Sequence, residues 1–216
     1  ESMEMAARRL RYEWFDKLCV AHGYDVVAIA HHLDDSIETH FINMLRGTGL
    51  RGLTGIAMRN KRIVRPMLFA TRKDILDYAI VNDIAFREDS SNRSMKYLRN
   101  RVRHEVVPKL TEINAQYASV MARNMMMLDQ AQQYIDASIA LVKRDALKAY
   151  DNGYRLDVSV IDDMLPRNFV VYEILNSEFG FRRESVENIC SALDDGVSGR
   201  RFYISNMEAI VDRGSI

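Results

Sequence analysis

An α/β fold with a partial parallel sheet, followed by a mainly helical second domain, is the class that this sequence predicts. Three observations carry it. A short apolar run, Tyr24 to Ala30, feeds directly into a helical pattern. A second strand pattern, Arg62 to Leu68, is again followed by a helix. Beyond residue 112 the apolar spacing is almost entirely helical. Alternating strands and helices are the signature of an α/β sheet, whereas a run of helices packs on itself.

In chain order, Met3, Ala7, Leu10, Trp14 and Leu18 step by three and four and predict an amphipathic first helix. The run YDVVAIA, opened by Gly23, is short and rich in β-branched residues. It predicts a fully buried strand of a parallel sheet. From Asp34 the helical spacing of Ile37, Phe41, Met44 and Leu45 holds until Gly47 and Gly49 end it. After the second strand, Thr71 is the expected N-cap with Asp74 three residues later, and Ile75, Leu76, Ala79 and Ile80 form the buried side. Residues 86 to 96 are polar and predict a loop. Tyr97 to Val107 is helical, and Pro108 is expected to end it because proline cannot donate a backbone hydrogen bond.

The next helix is long. Met121, Met125, Leu128, Ile135, Ile139, Val142 and Ala146 form a heptad-like seam interrupted by Gln132, and the methionines read as packing surface. Asp151, Asn152 and Gly153 make a turn. Phe169 to Phe179 and Ser185 to Leu193 are helical, and Arg201 to Ser205 with Glu208 to Asp212 predict a small hairpin around Asn206. The domains are drawn at 1–112 and 113–216.

Composition excludes several classes. A hydrophobic share of 48% and a charged share of 28% are those of an ordinary globular chain. No apolar run reaches the roughly 20 residues that span a bilayer. Cys19 and Cys190 are far apart, which argues against a zinc ribbon or a secreted disulfide framework and suits a reducing cytoplasm. The net charge is zero but unevenly shared: residues 1–110 are net +5 and residues 111–216 net −5. An anionic partner is expected at the front half.

Three clusters carry chemistry. His31, His32, Asp34, Asp35 and Glu38 crowd the exit of the first strand, where open α/β sheets place their ligand crevice. Steps of three and four let the carboxylates converge on one cationic target. Acids also favour the first turn of any helix, and that accounts for one or two of them. The second cluster, Arg46 to Leu53, holds Gly47, Gly49 and Gly52 between Arg46 and Arg51. It suits either a backbone approach to phosphate or a helix cap and turn. The third is Asp89 to Asn92 followed by Arg99, Asn100, Arg101 and Arg103. Arg99 and Arg103 form a like-charge i,i+4 pair that needs a shared anion, either Glu88 and Asp89 within the protein or the phosphates of a nucleotide or RNA.

In this order and separation the clusters resemble the tRNA(Ile)-lysidine synthase family. Its AHHxDDxxET pattern stands at Ala30 to Thr39, RGxGxxGL at Arg46 to Leu53, RP at Arg65 and Pro66, DSSN at Asp89 to Asn92, and RNxxR at Arg99 to Arg103. AARRLRY at Ala6 to Tyr12 and SGRRF at Ser198 to Phe202 are similar to further stretches of the family. The resemblance implies an N-type ATP pyrophosphatase (adenine nucleotide alpha hydrolase-like) domain and a helical tRNA-binding domain, in a cytoplasmic enzyme without a membrane segment. The implied reaction adenylates the wobble cytidine of tRNA(Ile) with ATP and Mg²⁺, and free lysine then displaces AMP.

The residues it implies are Asp34, Asp35, Glu38, Arg99 and Arg103 as catalytic, with Asp35 also toward Mg²⁺. His31, His32, Arg46, Gly47, Gly49, Asn92, Asn100 and Arg101 are implied to bind substrate or tRNA. A homodimer is compatible with it. The family's ATP loop, SGGxDS, does not occur in these 216 residues and is expected ahead of Glu1, so this piece alone is expected to be inactive. Two other classes compete. A metal-dependent HD-type phosphohydrolase would use the paired histidines but needs ligands beyond His104, and a non-catalytic RNA-binding module would use the basic front half alone. A tRNA 2-thiolation enzyme would need CxxC cysteines, which are absent.

Overall fold

The computed structural model describes residues 3–87, 97–164, 166–204 and 207–216. The chain divides into two compact units, Glu1–Gln132 and Gln133–Ile216.

The first unit opens with α1 (Met3–His22), followed by β1 (Val27–Ala28), α2 (Leu33–Leu45), α3 (Gly49–Leu53), β2 (Arg59–Asn60), β3 (Ile63–Val64) and α4 (Arg72–Val81). The strands form a sheet in the order β1-β3-β2, with β1 parallel to β3 and β2 antiparallel to it. The parallel pair with intervening helices is the α/β arrangement expected. The strands are shorter than the apolar runs, and β1 is not fully buried as expected. It pairs with β3 alone among the described residues, so Val26 and Ala28 stay exposed. The stripe of α1 is likewise open at Leu10 and Trp14, which no described element covers, and Cys19 is its buried residue. On α4, Ile80 is exposed. Thr71 and Asp74 do form the expected capping box: the Asp74 amide donates to Thr71 Oγ1, and the Thr71 amide donates to Asp74 Oδ2 at 2.9 Å.

α2 is fixed by its apolar row. Leu33 and Ile37 are buried against Met125, with Phe41, Tyr117, Met121 and Ala122 around them. Burial of each such side chain contributes about 1.5–3 kcal/mol. With Leu33, Ile37 and Phe41 committed inward, Asp34, Asp35 and Glu38 fall on the adjoining rows of the same helix.

Those rows meet a second helical stretch, α5 (Leu98–Arg101), a π-helical turn (Val102–Val106) and α6 (Val107–Ile113). Here Pro108 does not end the helix as expected. It sits in the first turn of α6, where a missing N–H is harmless, and the widened turn just before it absorbs the hydrogen bond that proline cannot supply.

α7 (Tyr117–Ala146) follows, and the boundary between the two units falls inside it. Its seam faces inward as expected: Met121 and Met125 belong to the first core, Ile139, Val142 and Ala146 to the second, and Gln132 is buried between those groups. The second unit continues with an antiparallel hairpin of β4 (Leu147–Tyr150) and β5 (Gly153–Leu156), then α8 (Arg167–Phe179), α9 (Arg183–Asp194) and a second hairpin of β6 (Arg200–Ile204) and β7 (Met207–Val211). Ser205 and Asn206 lie outside the described residues. Ile161, Val171, Ile174 and Ile189 form the heart of this core. Both cysteines are free and buried, and burial pushes the Cys190 thiol up to about 11. No described helix is long and apolar enough to cross a membrane.

Candidate active site

The exit of β1 delivers His31 and His32 to the start of α2, and Leu33 N–H anchors that start to the Ala70 carbonyl at 2.9 Å. Each acid of the first turns then finds a different partner. Asp34 Oδ2 accepts from the Arg72 amide at 2.7 Å, and Tyr117 Oη approaches its Oδ1 at 3.4 Å, so Asp34 ties together the starts of α2, α4 and α7. Proximity to Asp34, together with burial, raises the Tyr117 phenol above its ordinary value, burial being the larger cause. Asp35 Oδ2 accepts from the His32 amide at 3.0 Å, and its Oδ1 lies 3.6 Å from Arg103 Nη2.

Glu38 is 1% exposed and is the most enclosed charge of the site. Arg103 grips it with both faces of the fork, Nε to Oε1 at 2.6 Å and Nη2 to Oε2 at 3.0 Å. Arg99 stands behind: its Nε is 3.5 Å from Glu38 Oε2, and its Nη2 donates to Thr39 Oγ1 at 2.9 Å. Thr39 Oγ1 in turn donates to the Asp35 carbonyl at 2.8 Å. The anion that the like-charge arginine pair requires is thus Glu38, with Asp35, and so belongs to the first cluster. Arg99 remains 41% exposed in its side chain, so the pair presents positive charge outward from an acidic base.

The two histidines differ. His32 lies between two carboxylates, its Nδ1 3.6 Å from Asp34 Oδ2 and its Nε2 3.5 Å from Asp35 Oδ2. Its Nδ1 is buried with no hydrogen-bond partner, an uncommon state for a native polar atom. His31 accepts at Nδ1 from Arg65 Nε at 3.1 Å, while Arg65 Nη1 donates to the Ala57 carbonyl at 2.7 Å. Burial lowers the His31 pKa below 6.5, and Arg65, Arg99 and Arg8 lower it further against an opposing pull from Asp35. A histidine that accepts from a guanidinium must be neutral there.

His31 is therefore expected to titrate below 6.5 in the full-length protein, followed by the pH dependence of its ring carbon and proton resonances. The depressed folded value makes its contribution to stability complete above 6.5. That contribution is lost as pH falls from 6.5 through the folded value. A ring titrating above 6.5 would contradict the acceptor role.

The glycine-rich cluster forms a helix end and turn. Arg46 is the C-cap of α2, Gly47 follows with φ +67°, and Asn43 Nδ2 donates to the Gly52 carbonyl at 2.8 Å. Arg46, Gly47 and Gly49 are exposed and make no described contact with the acidic cluster. Arg101 is also exposed and pairs with Glu105 at 3.5 Å, whereas Asn100 is buried. Asn92, with the rest of Asp89 to Asn92 and Glu88, lies outside the described residues. Among the described residues no group of three or more His, Cys, Asp or Glu is gathered as a metal would need. Asp35 would hold Mg²⁺ as a single carboxylate beside nucleotide phosphates, not as part of a protein-built cage.

Two members of the site gave little warning in the sequence. Arg65 is buried and orients His31; the sequence marked it only as a basic residue within an apolar strand pattern and as part of the RP pair. Tyr117 opens a long helix and carried no signal at all.

The PP-loop domain family matches residues 1–110, and the TilS substrate binding domain matches residues 149–216. Among curated proteins, the tRNA(Ile)-lysidine synthase of Parabacteroides distasonis is 37% identical over 212 residues, covering 98% of this chain and 47% of the relative. That of Porphyromonas gingivalis is 36% identical over 216 residues, 98% of this chain and 46% of the relative. That of Geobacter sulfurreducens is 42% identical over 129 residues, 59% of this chain and 27% of the relative. The chain spans about half the length of the first two.

Proposed function

The chain belongs to the PP-loop domain family, and on that premise we propose that it contributes to a centre that ligates lysine to the wobble cytidine of tRNA(Ile). One observation supports this above the rest. The acids at the exit of β1 and the arginines of α5 and the π turn close into a single cluster, with Arg99 held at its open side.

The chemistry asks for such a cluster. A cytosine 2-carbonyl is a poor electrophile until its oxygen becomes a leaving group. Attack of that oxygen on the α-phosphorus of ATP releases pyrophosphate and leaves an adenylated base. The lysine amine then adds at carbon 2, loses a proton, and AMP departs. Negative charge on the α-phosphate oxygens is common to both steps; in this scheme Arg99, exposed beside Glu38, meets it, with Arg103 behind. Glu38, closed off by Arg103, acts as a positioning residue that fixes the fork. Asp34 and Asp35 are more open than Glu38 and are the acids available to the lysine ammonium. His32, between those two acids, joins them in this scheme. Mg²⁺ enters with the nucleotide phosphates. Arg46, Gly47, Gly49, Asn92, Asn100 and Arg101 serve the tRNA in this scheme, which runs in the cytoplasm.

The test uses the full-length protein with ATP, tRNA(Ile) and labelled lysine. Arg99→Gln is expected to lower turnover by about 10²- to 10³-fold, the usual cost of losing one transition-state donor. Undiminished lysidine formation by Arg99→Gln would remove the arginine from the mechanism. Absence of lysidine with the wild-type protein would remove the function.

A further inference from the structure

A groove of about 780 Å³ lies on the first unit between α1 and the β2–β3 hairpin, on a side that no step above uses. Its walls are basic. Arg8 and Arg9 come from α1, and Lys61 and Arg62 from the turn that enters β3; all four are exposed. Arg65, at the exit of β3, is buried and also donates to His31, so the groove runs along β3 and ends against the back of the catalytic cluster. Arg8 is near enough to His31 for its charge to act on that ring.

Three details show that these cations are arranged. The Arg8 guanidinium sits over the Tyr12 ring at 5.2 Å from its centroid, and Tyr12 lines the groove. Arg62 Nη1 is tied to the Tyr24 carbonyl at 3.3 Å. Lys61 occupies a left-handed backbone position, φ +53°, where glycine or asparagine is at ease and lysine is uncommon. The turn places a cation there nonetheless. Glu13 and Asp16 are the acids of the same groove, and Glu13 is neutralised by Arg9 at 2.9 Å.

A basic channel with an aromatic face is the surface on which single-stranded nucleic acid tracks: cations meet successive phosphates and the ring offers a stacking platform. We propose that this groove binds the phosphate backbone of the RNA strand that leaves the reaction centre, guiding the loop whose base is modified. The proposal rests on the tRNA-ligating function above and adds to it the path that the substrate takes.

The experiment measures tRNA(Ile) binding by the full-length protein as salt is varied. Each phosphate contact on a single strand contributes about 0.7 to the slope of log K against log salt. The triple variant Arg9→Gln/Lys61→Gln/Arg62→Gln is expected to flatten the slope by about 2 and to weaken binding at least about tenfold near 0.1 M salt. Asp16→Asn is expected to tighten binding. If the triple variant melts early, Lys61→Gln alone, in an exposed turn, should still flatten the slope by about 0.7. An unchanged slope in variants of a wild type that makes lysidine would overturn the groove alone, and would leave the basic walls to an acidic protein partner. A wild-type protein that binds no tRNA would overturn both the groove and the function.

Discussion

Replacing Arg103 by methionine in the full-length protein is expected to cost about 3–5 kcal/mol of stability, the toll of leaving a buried carboxylate without its partner. Glu38 has nowhere to turn. It is 1% exposed, its two oxygens receive Arg103 at 2.6 and 3.0 Å, and Arg99 at 3.5 Å is too distant to replace a bidentate contact. The denaturant midpoint of the variant is the measurement. A second variant separates a lost attraction from a stranded charge: Glu38→Leu combined with Arg103→Met removes both ends of the pair. It should recover most of the stability, since buried pairs are often matched by well-packed apolar groups. It should recover none of the ligation. Equal losses for the single and the double variant would mean that Arg103 acts by packing and not by its charge.

Gly55→Ala is expected to be nearly as damaging, at about 2–5 kcal/mol. Gly55 has φ +79°, which costs an L-residue about 1–2 kcal/mol. A β-carbon there would lie 2.3 Å from Ser36 Oγ and 2.7 Å from Met125 Sδ, and overpacking adds about 1–3 kcal/mol. Ser36 Oγ accepts the Ile56 amide at 2.9 Å, so the shift would pass into α2 between Asp35 and Glu38. The midpoint should fall, and activity at a permissive temperature should fall with it. A Gly55→Ala protein as stable as wild type would show that the loop after α3 yields more readily than its contacts imply.

Much of this site could be read from residue order, because its parts obey local rules. Acids at the start of α2, a capping box at Thr71 and Asp74, and arginines four apart each follow from the geometry of a helix turn. What joined them could not be read this way. That Arg103 answers Glu38 across 65 residues depends on how α2 and the π turn pack, and no periodicity encodes it. The same gap explains the wrong expectations. The apolar faces of α1 and β1 look like core in any pattern, yet Leu10, Trp14 and Val26 have no described neighbour to bury them. The glycines after α2 suited phosphate or a helix end equally in the sequence, and the positive φ of Gly47 beyond the C-cap Arg46 shows the helix end.

The widened turn at Val102–Val106 rotates the faces of the helical stretch that follows it. In an unbroken α-helix, residues 102 and 113 would sit about 20° apart in azimuth, since eleven steps of roughly 100° pass three full revolutions by about 20°. Val102 is 2% exposed and Ile113 is 84% exposed, so the two do not share a side. One surplus residue in the turn sets the later half back by about 100°. The downstream positions keep their spacing among themselves but are dealt out one place late, and helical-wheel designs across Arg103 should skip a residue before counting on.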